Sequence, residues 1–254
     1  MSRSARLLTM AWLIFVSCGT DFAATPASSS PEWEKAKVEN APPWDTTDRY
    51  EPRDVQGWHV LINRRLLDDK TLCGDVLTLL DFQLYQITRK VPPAALGKLR
   101  TIKIWVERAE PHHPCMAFHP DAGWLREHDM NPEKAGCVEI ANGRNFLEWT
   151  KEQPWMVLHE LAHGYHDLFL DGGYGNLQIE AAYRRAVESK SYESVLHING
   201  KKERAYALTN PMEYFAETSE CYFGTNDFYP FVRAELEQHD PEMFKLLEEL
   251  WNRK

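Results

Sequence analysis

Two histidines four residues apart, inside an apolar run, restrict this chain more than any other feature. The run is Trp155-Met156-Val157-Leu158-His159-Glu160-Leu161-Ala162-His163-Gly164, free of proline and with Glu160 as its one acid. Its five aliphatic positions suit a buried helix, and residues four apart on a helix lie on one face, one turn apart. Both imidazoles then reach one metal ion. Glu160, next to His159, leans over the ion's open side, where a general base belongs. The bland reading is an ordinary amphipathic helix with two histidines. Neutral imidazole suits zinc, and a zinc site that does chemistry keeps one position for water.

Such a site needs a third protein ligand. His166 lies seven residues past His159, about 10 Å of helix rise, whereas donors around one zinc stand about 3–4 Å apart. An unbroken helix therefore cannot supply all three. Metzincins break the helix at a glycine in H-E-x-x-H-x-x-G-x-x-H; here that position is His166, and the final one is Phe169. Further along, Tyr206 precedes Asn210-Pro211-Met212-Glu213-Tyr214-Phe215-Ala216-Glu217. Glu213 and Glu217 share a helix face, so one can ligate while the other orients an imidazole through its free N–H. Asn210-x-x-Glu213 is also close to a capping box, in which the glutamate serves only the helix start. Asp227 is a rival ligand, in a broken match to the aspzincin pattern G-T-x-D-x-x-Y-G: Tyr229 comes one position early and Phe231 replaces the last glycine.

His159-Glu160-x-x-His163 followed by Asn210-x-x-Glu213-Tyr214-Phe215-Ala216-Glu217 resembles the gluzincin peptidases of the anthrax lethal factor type. These show N-x-x-E-F-F-A-E after H-E-x-x-H, with a tyrosine four residues before the asparagine, the position of Tyr206. The resemblance spans residues 155–223, about a quarter of the chain, and departs at Leu161-Ala162, where the toxin has Phe-Gly. It implies an α+β, zincin-like metallopeptidase domain with a small mixed sheet and one catalytic Zn2+. It implies Glu213 as third ligand beside His159 and His163, Tyr206 as the phenol serving the oxyanion, and Glu217 as a carboxylate supporting the ligands from behind. Resemblance and chemistry together lead us to expect hydrolysis of a peptide or protein substrate, with Glu160 taking the proton of the attacking water. The alternative is a catalytically inactive zincin-fold binding protein that retains zinc, which would have no use for Glu160 or Tyr206.

Composition narrows the setting. A 254-residue chain that is 43% hydrophobic supports one sizeable domain plus an extension, and a net charge of −9 argues against nucleic acid as a partner. Arg3 and Arg6 precede an apolar stretch at 7–16 and then Ser17-Cys18-Gly19, the layout of a secretory signal and too short to span a bilayer comfortably. Residues 1–24 are therefore expected to be a signal peptide, and the protein secreted or extracytoplasmic. Phe15-Val16-Ser17-Cys18 loosely resembles a lipobox, so a membrane is a partner only if Cys18 is lipidated. Residues 25–56, rich in proline, serine and charge, read as a linker or arm before a metallopeptidase domain at 57–254. After export, Cys73, Cys115, Cys137 and Cys221 allow one or two disulfides in three pairings, against the reading of four buried thiols.

Within the domain, periodicity predicts strands at 58–62, 102–106 and 137–141 and a helix at 71–89 closed by Pro92-Pro93. Residues 109–132 read as an irregular loop; His112, His113, Cys115 and His119 raise a second metal site there, without the paired spacing of a closed zinc site. Strand 137–141, just before the metal helix, is where an extended peptide is expected to pair. The metal helix should start at Pro154 and stop before Gly172-Gly173. Helices follow at 179–189, from Asn210-Pro211, and at 235–251 with an interruption at Pro241, where Leu246, Leu247, Leu250 and Trp251 make a core stripe.

Overall fold

The computed structural model describes residues 42–252, and a mixed α+β architecture follows from them. The expected signal segment lies outside the described residues. β1 (Tyr50–Val55) and β2 (Trp58–Asn63) form an antiparallel hairpin turned at Gln56-Gly57. Three further strands, β3 (Ile104–Val106), β4 (Met116–His119) and β5 (Cys137–Ile140), complete a small mixed sheet of order β1-β2-β3-β5-β4. The central strands β2, β3 and β5 run parallel, and the two edge strands are antiparallel to their neighbours.

A period of two divides the faces. Val60, Ile62, Ile104, Val106, Val138 and Ile140 point into the main core, whereas Leu61, Trp105 and Cys137 join Tyr50 in a small cluster on the opposite face. Such alternation is what the pleat imposes when two faces bury different neighbours.

The helices are α1 (Arg64–Asp68), α2 (Lys70–Lys90), α3 (Pro93–Leu99), α4 (Ala122–Glu127), α5 (Gly143–Trp149), α6 (Met156–Phe169), α7 (Leu177–Ser189), α8 (Pro211–Phe223), α9 (Arg233–His239) and α10 (Pro241–Trp251). A two-stranded ribbon of β6 (Val195–Leu196) and β7 (Lys202–Glu203) lies between α7 and α8. Among the described residues, no helix is long and apolar enough to cross a membrane.

Four expectations need correcting. The domain does not start at Gly57: β1 belongs to the sheet, and the Asp45 carboxylate before it accepts from Asn63 (2.9 Å) and Arg65 (2.9 Å). An exposed edge strand with Glu51, Pro52, Arg53 and Asp54 has no apolar alternation to announce it. Region 109–132 is not one irregular loop, since β4 and α4 fall inside it. The helix expected to carry metal ligands begins at Met156, with Trp155 rather than proline before it. Finally, Cys73, Cys115, Cys137 and Cys221 are all free and buried, held by separate elements: Cys115 lies 3.5 Å from the Met156 sulfur, and Cys137 packs on the far face of the sheet.

Candidate metal centre

The site lies where α6 crosses α8, and each helix is fixed by its own local chemistry. Asn210 caps α8 by accepting from the Glu213 N–H at 2.9 Å, with Pro211 in the first turn. Every residue from Glu213 to Phe223 is buried, so α8 is a central helix of the fold. α10 braces both partners: the Trp251 indole stacks on Tyr165 of α6 (4.2 Å, 10° between planes) and lies parallel to Phe215 of α8 (5.8 Å, 9°). Its N–H donates to Ser219 at 3.1 Å, and the Tyr165 hydroxyl donates to the Leu250 carbonyl at 3.0 Å. On the sheet side, Gly164 lets β4 approach. A Cβ there would meet the Phe118 ring at 3.1 Å and Ile102 at 2.7 Å.

This packing brings three donors together. His159 Nε2 stands 3.1 Å from His163 Nε2 and 3.0 Å from Glu213 Oε2, and the third side of the triangle is 3.2 Å. Four-coordinate zinc with ligands at about 2.0–2.2 Å sets its donors about 3.3 Å apart, so the set fits one tetrahedral ion. The Glu213 side chain thus faces the imidazoles. The Asn210 half of the capping box forms, but the Glu213 carboxylate is turned to the histidines. Burial raises the Glu213 carboxyl, yet His163 and His159 outweigh it and hold the group well below the carboxylate range. The converse holds for His159, where burial lowers the imidazole but Glu213 and Glu220 raise it well above its ordinary value.

Support for His159 comes from a residue the sequence reading passed over. Its Nδ1 is 2.7 Å from Glu220 Oε1 and 3.7 Å from Glu217, the expected partner. Glu217 instead accepts from Asn226 Nδ2 at 3.1 Å. The signal was available: Glu213, Glu217 and Glu220 stand at i, i+4 and i+7, and at 100° per residue the last is angularly nearest the first. Burial raises both Glu217 and Glu220, and Asp227 adds to each. Asp227 itself lies outside the donor triangle, beside Gln153 (3.4 Å) and His197 (3.5 Å). His166 is also outside it. Buried with no partner for either nitrogen among the described residues, its imidazole is pushed down to about 3 by burial and then by His163.

Glu160 Oε2 accepts from the Phe118 backbone N–H of β4 at 2.8 Å. Tyr206, in the 3-10 turn Tyr206–Leu208, is 45% exposed. Burial of part of its ring and the charge of Glu213 push its phenol up to about 12, with His159 opposing. The second metal set is not assembled. His112 pairs with Glu110 at 2.6 Å near the surface, Cys115 faces Met156, and His119 Nε2 goes to Glu139 at 2.7 Å.

The arrangement brings together two imidazoles and one carboxylate that could hold a metal ion, with a second carboxylate and a phenol alongside. No family model matches this chain, and no curated protein or solved structure matches it either.

Proposed function

We propose that this protein is an exported zinc-dependent peptidase with a zincin-like domain. The observation carrying that reading is the convergence of His159 Nε2, His163 Nε2 and Glu213 Oε2 within 3.0–3.2 Å of one another, next to the Glu160 carboxylate, which is not one of the three donors. His159, His163 and Glu213 would hold the ion. Zinc, when bound, supplies Lewis acidity toward a carbonyl and makes water nucleophilic near neutral pH.

The chain's own groups do the rest. The Phe118 N–H fixes Glu160 by Oε2, leaving Oε1 to accept a proton from the attacking water and return it to the leaving amine. Tyr206, protonated at neutral pH, donates to the developing oxyanion. Glu220 accepts from His159 Nδ1–H, which fixes the ring's tautomer and strengthens its other nitrogen as a donor.

Peptide pairing moves from the strand first expected for it. β5 is internal, flanked by β3 and β4. β4 is the edge: the Cys115 and His119 carbonyls turn toward β5, so the backbone of Met116 and Phe118 faces outward, beside Glu160. An extended substrate adds to that edge as a further strand.

The test is zinc analysis with a peptide-library digest, wild type beside Glu160→Gln. The variant should bind zinc normally and lose cleavage by about 10²–10⁴-fold. Wild-type turnover in Glu160→Gln would sink the reading.

A further inference from the structure

Tyr174 bridges β4 and the imidazole of His163, the two components that a substrate of this site must touch. It stands in the 3-10 turn Gly173–Gly175, just beyond α6. Gly172 and Gly173 adopt positive φ (+81° and +54°), and a Cβ at Gly173 would come within 2.8 Å of the Asp167 carbonyl. Those two glycines fold the chain back so that the tyrosine returns over the helix. Its ring then meets three others edge-on: Phe118 of β4 at 6.5 Å, His163 at 6.5 Å and His166 at 5.1 Å. One side chain thus reaches from the edge strand to a metal-binding imidazole.

Packing accounts for the ring but not for the hydroxyl. Among the described residues no hydrogen bond to the Tyr174 oxygen forms, and the residue is only part-buried. Phenylalanine would pack against Phe118 and the histidines equally well, so packing does not call for the hydroxyl, which is free to donate beyond the chain.

We propose that Tyr174 contacts substrate. Its hydroxyl donates to a backbone carbonyl of a peptide laid along the outer edge of β4, and so sets how that peptide lies against His163. The inference rests on the peptidase reading and adds a second phenol, with a different task from Tyr206. Tyr206 serves charge that develops only in the transition state, whereas Tyr174 binds ground and transition states alike. Removing it should raise KM and spare kcat.

The test is Tyr174→Phe in the zinc-loaded protein, using a peptide that the library digest shows the wild type to cleave. Zinc content and Tm should match wild type, KM should rise about three- to tenfold, as for one lost neutral hydrogen bond, and kcat should stay within about twofold. Tyr206→Phe should do the opposite, lowering kcat by about 10²–10³-fold with less effect on KM. Binding without turnover gives a second readout: Glu160→Gln should hold the same peptide about three- to tenfold more tightly than Glu160→Gln/Tyr174→Phe in calorimetry. Tyr174→Phe with wild-type KM and wild-type peptide affinity overturns the inference alone. A shift in Tm or zinc content with no shift in KM also overturns it, since that marks a structural role. Zinc-loaded wild type that cleaves no library peptide takes down both this inference and the peptidase reading.

Discussion

Two buried clusters of charge stand in this molecule, one on the far face of the sheet and one where α6 crosses α8, and they treat the same problem oppositely. On the far face of the sheet, Lys134 lies between Glu107 (2.9 Å) and Glu139, the Tyr50 hydroxyl donates to Glu107, and His119 Nε2 meets the other oxygen of Glu139 at 2.7 Å. Each carboxylate there has a proton donor. Burial raises Glu139, but His119 and Lys134 outweigh it and hold it down to about 2. Where α6 crosses α8, by contrast, Glu213, Glu217 and Glu220 are all buried, with buried Asp227 just beyond α8, and among the described residues no lysine or arginine joins them in an ion pair. Their nearest cationic candidates are imidazoles. A buried charge is tolerated when paired and costs several kcal/mol when not. The first cluster therefore looks complete in itself and holds the sheet together. The second, with two imidazoles and a carboxylate converging, is the arrangement that a cation would complete. Charge burial alone does not distinguish a structural network from a site; the balance of partners does.

The largest effect is expected at Glu213. Glu213→Gln should strip the protein of zinc under mild chelation, an affinity loss beyond the roughly 10–100-fold typical of a supporting residue, and should also lower the thermal stability of the metal-free chain, because the imidazoles hold that carboxyl below its ordinary range. Metal titration beside calorimetry checks both halves. The mirror experiment is Lys134→Met. Two carboxylates lose their ammonium, and stability should fall by about 3–5 kcal/mol in denaturant unfolding. Zinc affinity of the folded fraction should not change; a large zinc defect would mean that the clusters are coupled.

Next in size comes the order of the two supporting glutamates. Glu220→Gln should weaken zinc by about 10–100-fold, because it removes the 2.7 Å partner of His159 Nδ1. Glu217→Gln should cost less, since that carboxylate stands 3.7 Å away. Equal losses, or the reverse order, would refute the assignment of Glu220.

Acid should separate the clusters further. Glu139 has a folded-state value below its ordinary one, so the folded state binds fewer protons and stability rises with pH through that window. Its contribution is complete above about pH 4.5 and lost as pH falls toward about 2. Glu139→Gln should flatten that part of the stability–pH curve. The smallest effect expected is a gain. Glu217 is raised by burial and by Asp227 and Glu220, so Glu217→Gln should raise the Tm of the metal-free protein by about 2–4 °C. A fall instead would show that Glu217 is a paired, structural carboxylate like Glu139.

Much of the site could be read from spacing alone, because helix geometry is local. His159 and His163 share a face wherever that helix packs, and Asn210-Pro211 starts a helix in any context. Glu220 also obeys that geometry, but both i+4 and i+7 stay near the face of Glu213, and only the packing of α8 on α6 selects which carboxylate reaches His159 Nδ1. Nothing local revealed β1 or β4. Both are short edge strands whose residues look like loop until a partner strand pairs with them, and pairing joins segments far apart in sequence.

The sequence by itself determined the donor types, their placement on two helical faces and the α+β mixture of elements. Tertiary structure alone decided that those faces meet. Trp251, wedged against Tyr165 and Phe215, and Gly164, open to the Phe118 ring, fix how α6, α8 and β4 approach one another. It also decided that the Glu213 carboxylate turns to the imidazoles, that Glu220 takes His159 Nδ1, and that the Glu160 oxygen is held by an edge-strand amide. The physical reason is that dihedral preferences and capping act over a few residues, whereas side-chain convergence to about 3 Å depends on how distant apolar surfaces close-pack.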